Sequence, residues 1–249
     1  MQFSKLIEYI SLDDLTVVIP EKDEEHLTLN HTKSLLEKYG AEVIVISDGS
    51  KNPPKYSIQS KFHGYGNSIM SGCLLATRPL VLTMDGDGQH TPIEAIKLYL
   101  AYKMSNVEMM IGSRRLDREK PYRMIGRKLL NMSASLFAFR YLSDLNSGMR
   151  IFRLETVKGY FPILCKHFSF TTSLTMSMLC DNHTIEWFPI KVEERTRGES
   201  HVNLIKDAFV TLYYIIRIGG ALRTRGIRKV LRKFPLWMYL TGKGWRKGE

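Results

Sequence analysis

Cysteine is scarce in this chain of 249 residues: Cys73, Cys165 and Cys180 are the only three, and none stands in a C-x-x-C spacing. An odd, dispersed set excludes a disulfide scaffold and a cysteine zinc cluster, and it points to a reducing compartment. Long apolar runs are also missing. The longest, 208–222, is broken by Arg217 and falls short of the about 20 residues that a spanning helix needs. No basic start followed by an apolar stretch stands at the N-terminus, which argues against a secretory signal. Internal repeats and low-complexity linkers are absent as well. The expectation is a cytoplasmic protein, peripherally associated with a membrane.

Acids run out near the C-terminus. After Asp207 only Glu249 is acidic, while nine Lys or Arg residues lie between Arg223 and Lys247. The net charge of +11 calls for anionic company: nucleic acid, a membrane surface or phosphorylated small molecules. No nucleic-acid-binding module accompanies the charge, so nucleic acid is not an expected partner. With 44% hydrophobic and 24% charged residues, the remainder has the makings of an ordinary globular core.

Short β-rich apolar runs alternate with longer helical patterns, the signature of a mainly parallel sheet with flanking helices. Strands are expected at 15–20, 43–47, near 56–60 as an edge, and at 80–84, 107–112, 148–153 and 184–192. A first helix is expected to open on Asp23, Glu24 and Glu25, whose charges suit a helix start. Others run from Gly64 to Ala76, from Pro92, from Pro121 to Leu142 and from Lys206 to Gly219. Leu129, Met132, Leu136 and Phe139 recur at helical spacing, and the reading for that stripe is core packing. The chain divides into a domain over 1–203 and an amphipathic helix with a basic tail over 204–249.

Asp85-Gly86-Asp87-Gly88-Gln89 follows a hydrophobic strand, and in open α/β sheets ligands bind outside the carboxyl ends of strands. Carboxylates separated by glycines let backbone and a hydrated cation approach closely. A calcium EF-hand loop is excluded, because His90 and Ile96 occupy the positions of its glycine and bidentate glutamate. Two further strand ends carry acids: Pro20 with Glu24, and Asp48-Gly49-Ser50. Together the three turns line one edge of a sheet.

The segments P-E-K-D-E at 20–24, S-D-G-S at 47–50, D-G-D-G-Q-H at 85–90, G-S-R at 112–114, D-L-N-S-G-M-R at 144–150 and R-T-R-G-E-S-H at 195–201 occur in that order. This series resembles the family-2 glycosyltransferases of GT-A (Rossmann-like) fold, and most closely the polyprenol-phosphate sugar synthases of the dolichol-phosphate mannose synthase kind. The resemblance covers about 15–203. It implies an inverting, one-step hexose transfer from a nucleotide-sugar donor, with Pro20, Glu24, Asp48 and Asp85 at the nucleotide. It implies Mg²⁺ or Mn²⁺ held by Asp85, Asp87 and Gln89, and Asp87, Arg114, Arg123, Arg195 and His201 as the catalytic set on donor and acceptor phosphates. Two departures stand out: Ser47 replaces the first acid of the family's D-D-G-S, and His201 replaces a lysine.

A hydroxyl acceptor needs a general base, and no Asp or Glu occurs between Glu155 and Asp181, where relatives often carry glutamates; Asp144 is the remaining candidate. A phosphate monoester is already anionic and needs only cations. The expected acceptor is therefore a polyprenyl phosphate, met at an anionic membrane surface by the amphipathic helix (Ile205, Phe209, Leu212, Ile216) and the basic tail with Trp237, Tyr239 and Trp245. The alternatives are a hydroxyl acceptor on a glycan or lipid, and a non-catalytic nucleotide-sugar-binding module.

Overall fold

In a computed structural model, which describes residues 10–114, 121–138, 140–193 and 204–222, the apolar runs form a seven-stranded sheet in the order β3-β2-β1-β4-β6-β5-β7. The strands are β1 Leu15–Glu21, β2 Glu42–Ser47, β3 Ile58–Gln59, β4 Leu80–Thr83, β5 Met109–Arg114, β6 Arg150–Arg153 and β7 Ile185–Ile190. All seven expected strands are present, with β3 at the edge. β6 runs antiparallel between β4 and β5, and every other pairing is parallel. The α/β, mainly parallel architecture is the one the sequence pattern called for.

Side chains alternate across the strands and divide the core into two layers. Val17, Ile19 and Val45 pack with Leu29 and Leu36 of α1 (His26–Lys38) and with Ala95, Ile96 and Leu98. The last three lie on the helix Pro92–Met104. On the other face Val18, Val81 and Ile111 pack with Ile69, Met70 and Cys73 of α2 (Tyr65–Leu75). Pro92 begins its helix, α3, and the Thr91 side chain caps it by accepting from the Glu94 amide, as Pro at the first turn and Thr at the cap favour. Cα–H of Gly72 faces β1 so closely that a Cβ there would stand 2.3 Å from Cγ1 of Val18.

Two local expectations need correction, and one helix was not expected at all. The first helix begins at His26, so no acid lies in its first turn; Glu25 is the cap residue and Asp23 sits in a left-handed turn at φ 54°. The apolar stripe on α4 (Pro121–Ala138) is not core: Leu129, Met132 and Leu136 are 54%, 64% and 71% exposed. Periodicity marks a face without saying which face is covered. Here Asn131 and Ala134 are buried, with Leu130, Phe137 and Ala138 packed beside them, on a face rotated from the expected one. Phe139 lies outside the described residues. After the short helix α5 (Leu154–Lys158), the Phe168–Ser173 segment leads into α6 (Phe170–Cys180), buried from Phe170 to Met178. Its Ser and Thr content disguises it, because such residues favour turns unless packing overrides them.

α7 (Leu204–Leu222) packs Ile215 and Ile218 against Ala134 of α4 and Met176 of α6. Its opposite side leaves Phe209, Tyr213 and Ile216 exposed. Among the described residues no helix is long and apolar enough to cross a membrane.

Gly72→Ala should destabilise the fold by about 1–3 kcal/mol, the usual cost of forcing a methyl into a packed core. At this chain length that lowers the melting temperature by roughly 2–4 °C per kcal/mol. A calorimetric melt indistinguishable from the parent would contradict the flush α2–β1 contact.

Candidate active site

The carboxyl ends of β1, β2 and β4 lie side by side, since Pro20 pairs with Ile46 and Val18 with Thr83 in neighbouring ladders. Three acid-bearing turns therefore share one rim. Pro20 and the Asp85-Gly86-Asp87 turn meet directly: a Cβ on Gly86 would stand 3.0 Å from the Pro20 carbonyl oxygen. Gly86 is what lets the two strand ends close up.

Asp85 is held from three sides. The Tyr65 hydroxyl donates to its Oδ1 at 2.8 Å. The Asp85 amide donates to Nδ1 of buried His90 at 3.1 Å, which assigns the ring proton to Nε2. Gly148 backs the carboxylate so closely that a Cβ there would lie 2.3 and 2.4 Å from its two oxygens. Burial first, and then the Asp85 charge, push the Tyr65 hydroxyl well above its ordinary value, so it remains a donor at neutral pH. In the same turn Asp87 Oδ1 accepts from the Gln89 amide at 3.1 Å, which folds the Asp87 and Gln89 side chains onto one short arc.

Asp48 ends β2 and reaches across to α2. Its Oδ1 accepts from the Gly64 amide at 2.8 Å, and Nδ1 of His63 lies 3.4 Å away. Gly64 adopts φ 117°, a conformation that favours glycine. Asp48 thereby fixes the start of the helix whose first residue, Tyr65, holds Asp85. Glu24 lies in the β1–α1 turn, partly exposed. Arg114 directs its fork at Asp144, Nε to Oδ2 at 2.9 Å and Nη2 to Oδ1 at 3.0 Å. Asp144, considered from sequence as a general base, is fully buried and occupied in this bidentate pair. Arg123 falls on α4; its side chain, together with all of Arg195 and His201, lies outside the described residues.

Sequence reasoning missed several residues at this rim. Tyr65 was visible only as part of a helix start, and Gly148 only as a member of the 144–150 motif. Arg150, the last residue of D-L-N-S-G-M-R, is wholly buried and donates to the carbonyls of Leu145, Ser147 and Thr171 and to the Thr175 hydroxyl. Burial lowers its pKa to about 10, against the opposing pull of Tyr65, Asp144 and Asp85, so it stays cationic at neutral pH. Glu193 was missed because it lies beyond β7: its amide donates to the Gln89 carbonyl at 3.0 Å, which brings an exposed acid to the Asp85–Gln89 turn.

The oxygen donors suit a hard divalent cation, which Mg²⁺-type sites hold with one or two carboxylates, waters and substrate phosphates. Among the described residues no group of three or more His, Cys, Asp or Glu side chains is arranged as an all-protein metal cage. Asp85 and Asp87 on one turn fit the shared kind of site.

Residues 16–161 match the model of glycosyl transferase family 2. The chain belongs to that family. An uncharacterised protein of Methanocaldococcus jannaschii, MJ1222, is 28% identical over 169 residues, covering 61% of this chain and 70% of its own length. The undecaprenyl-phosphate 4-deoxy-4-formamido-L-arabinose transferase of Edwardsiella ictaluri is 25% identical over 232 residues, covering 81% of this chain; this chain spans 65% of that relative's length. Among solved structures, glucosyl-3-phosphoglycerate synthase of Mycobacterium tuberculosis, crystallised with Mn²⁺, UDP-glucose and phosphoglyceric acid, superposes with a TM-score of 0.69 at 15% identity, over 84% of this chain and 80% of its own. That likeness shows the shared GT-A fold. Family and fold together support a catalytic glycosyltransferase.

The expected polyprenyl-phosphate acceptor and anionic membrane partner are corrected here. A solved enzyme of this fold holds phosphoglyceric acid beside UDP-glucose, so the pattern of strand-end acids does not select a lipid phosphate. The physical argument behind the expectation also fails. It rested on a missing acid between Glu155 and Asp181, and the fold joins the backbone of an acidic residue from a different segment, Glu193, to the turn.

Gly148→Ala should displace the Asp85 carboxylate and lower the rate of sugar transfer about 10²-fold, the scale of loss expected from a 1 Å misplacement. The measurement is steady-state transfer alongside circular dichroism. Parental rates in a folded variant would show that Asp85 does not depend on this backing.

Proposed function

We propose that the chain transfers a sugar from a nucleoside diphosphate sugar to a hydroxyl group of its acceptor, with Mg²⁺ or Mn²⁺ at the Asp85–Gln89 turn. The observation that carries the hydroxyl reading is the hydrogen bond from the Glu193 amide to the Gln89 carbonyl. It puts a carboxylate-bearing residue next to the turn where the donor's reacting end would lie. A sugar-accepting hydroxyl is a poor nucleophile until a positioned base takes its proton.

In this reading the acceptor hydroxyl gives its proton to Glu193 as its oxygen bonds to the anomeric carbon. The bond from that carbon to the diphosphate breaks, and its electron pair leaves with the nucleotide. Asp85, Asp87 and Gln89 would hold the cation, which supplies Lewis-acid neutralisation of the departing diphosphate. Tyr65, His90 and Gly148 keep Asp85 in place. Pro20, Glu24 and Asp48 line the nucleotide side of the rim. Arg114 at the end of β5 and, by the family resemblance, Arg123, Arg195 and His201 would supply the cations, which suits an acceptor that itself bears acid groups. Phosphoglyceric acid, the compound held by the structurally similar enzyme, is the first acceptor to try.

Glu193→Gln should lower kcat by roughly 10²–10⁴-fold, the usual contribution of a general base, while the KM for the donor changes little. Product would be read by mass, with UDP-glucose and GDP-sugars as donors and phosphoglyceric acid as acceptor. A folded Glu193→Gln protein with the parental kcat would remove the assigned base.

A further inference from the structure

The carboxylate that the family pattern places at position 47 is missing from β2, yet a carboxylate stands beside that position. In the parallel β1–β2 ladder Ser47 is the register partner of Glu21. Register partners project to the same face, and this row continues Val17, Ile19 and Val45 past the end of the apolar core. Glu21 closes β1 at the carboxyl end of the sheet, immediately after Pro20.

Glu21 is 2% exposed. Its Oε2 accepts from the Ser50 hydroxyl at 2.8 Å. Its Oε1 is buried and has no hydrogen-bond partner among the described residues. An acceptor left in that condition is destabilising, and more so when the group is charged. Its retention at a ligand-binding rim is what a partner arriving with the substrate explains. The surroundings fit a planar guest. The Ser50 hydroxyl also accepts from the Asp23 amide, and the Lys51 amide donates to Asp23, so the two strand-end turns are laced together over Glu21. Tyr56, 36% exposed, has its hydroxyl raised above the ordinary value by burial and then by the Glu21 charge. The Tyr56 ring already carries the Lys33 ammonium 5.7 Å from its centroid, and base–aromatic stacking is a general way of holding a nucleobase.

We propose that Glu21 reads the base of the donor nucleotide, its Oε1 accepting a lactam ring N–H, and that it does from β1 what an acid at position 47 would do from β2. The chemistry selects between bases. Uracil at N3 and guanine at N1 each present a ring N–H to an acceptor. Adenine at N1 and cytosine at N3 present a lone pair, which a carboxylate repels. A site built for such an N–H leaves its own polar atom unpaired against the wrong base, which makes discrimination strong. Because Oε1 is buried, reading the base requires the turn at Gly49, Lys51 and Asn52, which are exposed, to move aside. The inference rests on the nucleotide-sugar reading and is independent of the acceptor.

Calorimetric titration of the full chain with UDP, GDP, ADP and CDP in the presence of Mg²⁺ tests it. The unaltered protein should bind UDP or GDP at least about tenfold more tightly than ADP and CDP, and the UDP and GDP arms identify which lactam base is used. Glu21→Gln, whose amide offers both a donor and an acceptor, should compress that discrimination to within about threefold. Adding Ser47→Asp to Glu21→Gln should restore it, a rescue that a merely structural Glu21 would not produce. Tight binding of ADP or CDP by the unaltered protein overturns the proposal without any variant, as does full discrimination by a folded Glu21→Gln protein. Failure of all four nucleotides to bind would overturn the nucleotide-sugar reading along with it. Discrimination that tracks residue 21 without any transfer to a hydroxyl would sink only the acceptor reading.

Discussion

A buried cation holds the catalytic rim together. Arg150 has no exposed surface, and its five hydrogen bonds go to neutral oxygens on the Leu145–Ser147 loop and on α6. Burying a guanidinium carries a desolvation cost of several kcal/mol, which only dense hydrogen bonding and nearby negative charge offset. Both are present: the loop supplies carbonyls, and Asp85 and Asp144 pull the pKa up against burial. The arrangement is reciprocal. Arg150 fixes the loop that carries Asp144 and Gly148; Asp144 binds Arg114 at the end of β5, and Gly148 backs Asp85 at the end of β4. One side chain thus ties the antiparallel strand β6 to the acid-bearing ends of its neighbours.

Much of this was legible in the sequence because strand ends leave strong marks. Runs such as Leu15–Pro20 and Leu80–Met84 are too apolar and β-branched to be anything but buried strands, and their abrupt change to acids and glycines locates the rim. The α4 stripe shows the limit of the same method. Leu129, Met132 and Leu136 have perfect helical spacing and face outward, because which face is covered depends on α6 and α7, distant in sequence. α6 itself was illegible, since five of its positions are Ser or Thr, whose helicity comes from burial rather than propensity. A local reading also could not see Glu193, more than a hundred residues from the turn it joins, or the register that sets Glu21 beside Ser47.

Those two acids change the chemistry inferred for the site. Reading acids by motif position makes the chain look deficient twice: one acid short at the nucleotide and one short at the acceptor. Reading them by location in the fold finds Glu21 beside Ser47 in the register and the backbone of Glu193 joined to the Asp85–Gln89 turn. A parallel sheet makes such exchange inexpensive, because neighbouring strand ends are only about 4.8 Å apart in the hydrogen-bonding direction. An acid can move to the adjacent strand and still face the same guest.

The central claim is that the Asp85–Gln89 turn stabilises the departing diphosphate during sugar transfer. Its most direct test is Asp87→Asn, which keeps the shape and the Oδ1 acceptor for the Gln89 amide but removes the negative charge. Transfer should fall by roughly 10²-fold or more, the scale seen when a group that stabilises developing charge is lost, with the melting temperature unchanged and with no recovery at saturating Mn²⁺. Parental turnover by a folded Asp87→Asn protein across a Mg²⁺ and Mn²⁺ titration would contradict the account.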